Sequence, residues 1–340
     1  MTNHDTETRS RALSWIALGV VYLVWGSTYL AIRVGVGHLP PLLFAGTRYV
    51  IAGALLYPIA RRTTAQAAAN PGVSANPADT ANPGARAWLA GAVVGILLLF
   101  AGNGGVSVGE TRLPSGFAAV LVATVPLWMI VFAWPVQHQR ITFRSAAALA
   151  VGLGGVIVLV GGGTAAGHIP DVILVLGAAA AWGFGSVLSH RLAVPSHAML
   201  AAAIEMLAGG VVLLATGAGS GEFSRIHWSS VPATSWLALA YLIGPGSILA
   251  FTAYGYALSH LPVTTVSTYA YVNPVVAVLA GIIVLGEQFT WREGLGAALV
   301  LVSVVITLRR SRGTSRPARA RDSERPEAEM LPDAAALSRR

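Results

Sequence analysis

Leu261–Glu287 reads LPVTTVSTYAYVNPVVAVLAGIIVLGE, an apolar run with Pro274 near its middle, beside Asn273 and just after Tyr269 and Tyr271. It is long enough to cross a bilayer as a helix. Proline removes a helix hydrogen bond and collides with the carbonyl one turn back, so a helix here bends and frees carbonyls at mid-membrane. Lipid cannot satisfy such groups, so this helix is predicted to face protein or a polar cavity. Leu113–Gln139, LPSGFAAVLVATVPLWMIVFAWPVQHQ, is a second copy that aligns without a gap. Leu113 falls on Leu261, Pro114 on Pro262 and Pro126 on Pro274.

The alignment extends outward. Trp88 to Gly152 matches Trp236 to Val300 in the same register, with Thr142 on Thr290 and Arg144 on Arg292. Upstream, a different fixed offset pairs Trp25-Gly26 with Trp182-Gly183 and Gly53 with Gly210. Ten spans of bilayer length are predicted. They are Leu13–Val34, Pro41–Ala60, Trp88–Val108, Ser115–Trp134 and Ser145–Gly161, then Asp171–His190, His197–Thr216, Trp236–Leu258, Val263–Leu285 and Trp291–Leu308. Five per repeat is odd, so the second repeat is expected to enter the membrane inverted. Inverted repeats with interrupted helices are a transporter architecture, with the site near the midplane between the halves.

The expected fold is therefore an all-α polytopic membrane protein of ten transmembrane helices in two inverted five-helix repeats. Residues 1–12 form a polar cytoplasmic N-terminus, 13–162 the first repeat and 170–308 the second. Within the first repeat, 61–86 carries three Asn-Pro steps and is expected to be a disordered loop. The tail 309–340 mixes Arg, Glu, Asp and Pro without an apolar face and is read as a disordered cytoplasmic terminus.

Composition agrees with a membrane protein: 55% of residues are hydrophobic and 11% charged, against about 25% charged in soluble domains. No Cys is present, which excludes disulfides and thiolate metal sites. All 22 basic residues are Arg, and the net charge is +8. That charge is read as the cytoplasmic bias of membrane proteins, not as a nucleic-acid surface. With the N-terminus inside, Arg9, Arg11, Arg61, Arg62, Arg86, Arg140, Arg144, Arg191 and the tail lie inside, and only Arg112, Arg225 and Arg292 lie in outer loops. Both termini are expected in the cytoplasm of a bacterial cell, with the chain in its inner membrane.

Ionisable residues within spans are functional candidates by default. Glu205 lies halfway along the seventh span, and its repeat mate is Arg48. The two either pair across the pseudo-two-fold, as a structural lock or a coupling element, or line the cavity separately. Pro126, Pro245 and Pro274 are predicted helix breaks, with Gly102-Asn103-Gly104-Gly105 loosening the third span opposite Gly244-Pro245-Gly246 in the eighth. Asn103 and Asn273 carry amides suited either to a polar ligand or to closing the gap beside a neighbouring Gly or Pro. Trp25, Tyr29, Trp128, Trp182, Tyr254, Tyr269 and Tyr271 sit at depth, where aromatic side chains need partners and line pockets. Trp88, Trp134, Trp236 and Trp291 at span ends read as an interfacial belt. Arg33 is expected to snorkel, and Glu110 and Arg112 to gate an outer loop or be solvated.

The chain shows no H-E-x-x-H, no P-loop, no G-x-S-x-G and no metal-spaced cluster, so no metal, cofactor or ATP-driven step is expected. Trp25-Gly26-Ser27-Thr28-Tyr29 with Ala31-Ile32-Arg33, Ala181-Trp182-Gly183, Pro126, Tyr271-Val272-Asn273-Pro274 and Gly286-Glu287 together resemble the EamA-type permeases of the drug/metabolite transporter superfamily. The resemblance covers nearly the whole chain outside the Asn-Pro loop and the tail. It implies two inverted five-helix repeats, a cavity between the first, third, fourth, sixth, eighth and ninth spans, and small organic metabolites as substrates. The function expected is secondary transport, as an exporter of an amino-acid-like or drug-like compound. Trp25, Tyr29, Asn103, Trp182, Tyr271 and Asn273 are the candidate substrate contacts, and Arg48 and Glu205 the charge-coupling pair. The second reading is a membrane-embedded enzyme or lipid-handling protein, for which only His190 and Glu205 approach a catalytic pair. The expected partners are a small-molecule substrate and the lipid bilayer. A homodimer through Gly152, Gly155 and the Ala-rich fifth span is one use of that small-residue face, and packing within the chain is the other.

Overall fold

The computed structural model describes residues 3–68, 82–138, 141–161 and 168–310. All regular structure among them is helical. In chain order the elements are α1 (Asn3–Val36), α2 (Pro41–Ala68), α3 (Ala85–Gly109), α4 (Ser115–Gln137), α5 (Phe143–Gly161), α6 (Ile169–Ser189), α7 (Ala198–Gly219), α8 (Ala233–His260), α9 (Tyr269–Leu285) and α10 (Trp291–Arg310). Among the described residues, nine helices are long and apolar enough to cross a membrane, and α9 is a shorter apolar helix.

The difference from the expected ninth span has a local cause. A one-turn helix, Val263–Val266, precedes α9, and Ser267–Thr268 form a turn between them. The N–H groups of Thr268, Ala270 and Tyr271 reach only three residues back, to Thr265, Ser267 and Thr268. The Thr268 hydroxyl also donates to the Thr265 carbonyl. Pro274, downstream, cannot donate to Ala270, so nothing pulls this turn back into a regular helix. The fourth span is built the same way. Its halves, Ser115–Val122 and Val125–Gln137, meet at Thr124, whose hydroxyl donates to Leu121 at 2.6 Å. Relative to the aligned prolines, the α9 break lies one turn earlier than the α4 break.

Gly244-Pro245-Gly246 does not interrupt the eighth span as expected. α8 runs continuously through a wide turn at Gly244–Leu249, and α3 through one at Ile96–Gly104. The two wide turns begin at aligned positions, Gly244 and Ile96. In α8 the Ser247 hydroxyl reaches back five residues to the Leu242 carbonyl, 2.9 Å away, within the wide turn.

The expectation of disorder from Arg61 is corrected. α2 continues to Ala68, with Thr64 buried and its hydroxyl on Ala60. Arg61 lies over the Tyr57 ring, 5.8 Å from its centroid. Arg, Ala and Gln are good helix formers, so the helix ends only as the Asn-Pro steps approach. Those steps (69–81) and the tail from 311 lie outside the described residues, apart from Asn82-Pro83.

Packing repeats across the two halves. α2 packs on α7, and α5 on α10. The α1–α9 contact is mirrored by α4–α6, and α1–α8 by α3–α6. Small residues make these approaches. A Cβ on Gly26 would lie 2.6 Å from Val276 Cβ, and one on Gly183 would lie 2.8 Å from Trp128 Cβ. Val276 and Trp128 are aligned positions, so one close crossing occurs twice.

The Gly152/Gly155 face is filled from within the chain. Gly155 faces the Val300 backbone and Gly152 faces Ser303. This places the face in the α5–α10 contact, the within-chain use of those small residues. On the partner helix, a Cβ at Gly296 would sit 2.5 Å from the Leu159 nitrogen, a backbone atom that cannot yield alone. Gly296→Ala is expected to cost about 1–3 kcal/mol through overpacking, read as a lower thermal midpoint in detergent. An unchanged midpoint would contradict the packing described.

Leu89, Ile157, Ile173, Leu237 and Ile283 point outward and are well exposed, as lipid-facing positions require. Trp134, Trp236 and Trp291 are exposed at helix ends. Trp88 departs from the belt reading and packs on Tyr57, ring centroids 5.6 Å apart.

Candidate transport site

The Trp-Gly pair in α1 presses against α9, and its tryptophan meets rings from α8 and α9. Trp25 lies 5.2 Å from Phe251, 5.2 Å from Tyr254 and 5.3 Å from Tyr269, centroid to centroid. Tyr254 and Tyr269 meet edge to face at 5.8 Å. The Tyr22 hydroxyl shares a hydrogen bond with the Thr268 hydroxyl. An aromatic cluster thus joins the first half to the second where α9 begins.

The mirrored crossing is chemically different. Trp182 in α6 lies against Gly102 of α3, where a Cβ would come within 3.0 Å of the ring. The positions aligned with Phe251, Tyr254 and Tyr269 are Asn103, Val106 and Leu121. Rings close on Trp25 at one crossing; at the other an amide and two aliphatic side chains hold the aligned positions, and the rings present are those of Trp128, Phe132 and Phe184, on the Gly183 side. Asn103 is half-buried, and its amide makes no hydrogen bond to the described residues.

Asn273 is buried beside Pro274 in α9, and its Oδ1 has no hydrogen-bond partner among the described residues. An orphan acceptor at that depth is costly unless something else visits it. Tyr271, two residues earlier, is half-buried. Tyr29 lies one turn beyond Trp25 and packs on the cluster of Val106, Phe117, Leu121 and Val175.

Arg48 and Glu205 do not form an ion pair in this structure. Arg48 is buried in α2, donates from Nε to the Ser247 hydroxyl at 3.1 Å and lies 4.7 Å from the Tyr49 ring centroid. Its hydroxyl partner belongs to the wide turn after Pro245. Glu205 is half-buried in α7, where its backbone carbonyl is held against Gly95 of α3. Its carboxylate has no hydrogen bond or ion pair among the described residues. His190 is exposed at the end of α6, which leaves Glu205 without the partner a catalytic pair would need.

Three carboxylates do structural work that the sequence reading missed. Glu287 accepts from Ser115 N at 2.7 Å, Ser115 Oγ at 3.1 Å and Gly116 N at 3.2 Å, capping α4. Gly286 makes this contact by taking a left-handed conformation, φ 64°, while the Glu287 N–H returns to Gly281. The aligned residue in the first half, His138, is also left-handed, φ 55°. Glu222 caps α2 through Leu43 N at 2.9 Å. Thr290 and Glu293 form a capping box at the start of α10. The signal for Glu287 was the Gly286-Glu287 dipeptide itself; nothing near Glu222 marks its target.

Of the outer-loop expectations, those for Glu110 and Arg33 are corrected, while Arg112 is exposed as its solvated reading had it. Glu110 is fully buried, not solvated. Arg33 does not snorkel outward but donates to the Glu110 backbone carbonyl. Arg112 pairs with Asp171 at 3.3 Å.

With this geometry in place, comparison with known proteins gives the class. The model of the EamA-like transporter family matches twice, over residues 12–161 and 170–309. The chain is 38% identical to the uncharacterized inner membrane transporter YedA of Escherichia coli over 294 residues, covering 85% of this chain and 89% of that one. It is 26% identical over 318 residues to a protein of Salmonella typhimurium named "probable amino-acid metabolite efflux pump", covering 88% and 95%. It is 27% identical over 303 residues to a "probable terminal-alkyne amino-acid exporter" of Streptantibioticus cattleyicolor, covering 89% and 95%. A solved crystal structure shares the fold, with TM-score 0.55 and 22% identity over 88% of this chain and 97% of that one. The chain belongs to the EamA-like transporter family. It is a multi-pass inner-membrane transporter, and the enzyme reading is set aside.

Proposed function

We propose that this protein is a secondary exporter of a small amino-acid-like or drug-like metabolite. It works by alternating access between two inverted five-helix repeats, with both termini in the cytoplasm. The single observation that carries the reading is the Trp-Gly crossing present in both halves, with three rings closed on Trp25 in one and, in the other, Trp182 against Gly102 while the rings of Trp128, Phe132 and Phe184 lie on the Gly183 side. Two symmetric crossings give a rocking motion two equivalent contacts to exchange. Each crossing offers a substrate both kinds of group, an amide (Asn273 at one, Asn103 at the other) and aromatic rings (Trp25, Tyr29 and Tyr271 at one, Trp182 at the other). An amino-acid-like compound, polar at one end and apolar at the other, suits such a lining. The names of the relatives support the same class and the outward direction. Arg48 and Glu205 then serve as separate charge elements, not as a lock.

The absence of Cys makes the motion directly testable. In a Tyr22→Cys/Thr268→Cys double variant, a short cleavable bis-thiol reagent bridges the two positions now joined by hydroxyls. Release of amino-acid metabolites from cells is expected to stop on cross-linking and return on cleavage. Release that continues at the full rate while cross-linked would overturn alternating access at this crossing.

A further inference from the structure

Glu110 ends α3 and its side chain has no exposed surface. Both carboxylate oxygens are buried and lack a hydrogen-bond partner among the described residues. The other carboxylates at helix ends all have partners: Glu287, Glu222 and Glu293 accept backbone N–H groups, and Asp171 accepts from Arg112. Among these helix-end carboxylates, Glu110 is the one with no hydrogen bond to the described residues.

Its neighbours are charged. Glu287 repels it electrostatically, and Arg33 attracts it. Arg33 donates to the Glu110 backbone carbonyl, not to its carboxylate. Tyr29 and Tyr49 lie in the same electrostatic neighbourhood from α1 and α2, with Arg48 beside Tyr49. From α6, Asp171 faces this end of α3 but is occupied by Arg112 and His168. Glu110 thus has one carboxylate, Glu287, and one guanidinium, Arg33, as its charged neighbours. One positive charge is missing, and an unpartnered buried carboxylate in that setting is expensive.

We infer that Glu110 is a proton-binding site, at the end of α3 beside Arg33 of α1, and that the proton it takes up is exchanged during transport. A proton supplies the missing charge and turns one orphan oxygen into a donor. The role in coupling rests on the transporter reading above; the binding of a proton does not. Burial first, then Glu287, pushes the Glu110 carboxyl well above the ordinary carboxylate range, and Arg33 opposes them. A raised value in the folded state means that protonation favours folding. The stability it gives is present at acid pH and lost as pH rises through the raised value.

The test is pH-titrated infrared difference spectroscopy of the purified full chain in liposomes without added substrate. The wild type is expected to show the C=O stretch of a protonated carboxyl at pH values where a solvated Glu is ionised, disappearing as pH rises. Glu110→Gln, which mimics the protonated form, is expected to lose that component. Arg33→Gln is expected to shift its titration to higher pH and Glu287→Gln to lower pH, so the assignment stands even if Glu110→Gln fails to fold. A component retained in Glu110→Gln, or one unmoved by both neighbours, would overturn the site. If the component is present and flux from cells is absent, the transporter reading fails and the site survives. If flux is normal and the component is missing, the site fails alone.

Discussion

Glu287→Ala is expected to unfold well below the wild type in the same detergent, with a loss of about 2–4 kcal/mol. The basis is local. Ser115 has no exposed surface, and its N–H, its hydroxyl and the Gly116 N–H all use the Glu287 carboxylate. Leaving a buried donor unsatisfied costs about 1–3 kcal/mol per group, and the positive end of a helix loses its counter-charge as well. The contact also holds the end of α9 on the start of α4, so its loss loosens a join between the repeats. Glu287→Gln keeps one carbonyl acceptor and is expected to lose roughly half as much. Glu222→Ala is the internal comparison, since it caps α2 through fewer and longer bonds. A Glu287→Ala protein with the wild-type midpoint would show that this cap is an ornament.

Glu205→Gln is expected to bring metabolite release down to that of cells lacking the protein, or to leave release that no longer responds to pH. Membrane levels and thermal midpoint should stay at the wild-type values. The carboxylate sits within a span, half-buried, with no ion pair or hydrogen bond among the described residues. Its removal therefore breaks no structural bond, unlike that of Glu287. An ionisable side chain placed at depth without a structural partner is costly and is a functional candidate by default. The outcome that sinks this assignment is pH-dependent release from Glu205→Gln at the wild-type rate.

Much of the fold was legible because the repeat constrains it. Two gapless copies of a proline-centred span, with Trp-Gly at matching places upstream, define which helix answers to which, and the packing of α2 on α7 and α5 on α10 follows that register. Helix continuity was less legible. Gly244-Pro245-Gly246 reads as a break, yet the helix absorbs the proline by widening into a turn that the Ser247 hydroxyl ties back to the Leu242 carbonyl. The ninth span breaks instead at Ser267–Thr268, because a threonine hydroxyl can satisfy the carbonyl that a tight turn exposes. Composition gave no warning of that position.

Among the candidate contacts, the rings around Trp25 followed from depth and type. Asn103 gains its meaning only from the alignment with Phe251, which places an amide where the other half has a ring. The charged groups were least legible. Arg33 and Glu110 lie near span ends, where solvation is the ordinary reading. Their burial depends on how α1, α3 and α9 meet, a tertiary fact that local sequence does not carry.

The measurement that tests the central claim most directly is the small-molecule content of the medium from cells expressing the protein, set against cells carrying the empty vector. The account predicts that at least one amino-acid-like or drug-like compound accumulates outside only when the protein is present, and that Glu205→Gln at matched membrane levels removes the difference. Media that match while the protein is demonstrably in the membrane, or a compound drawn from the medium into the expressing cells, would contradict export.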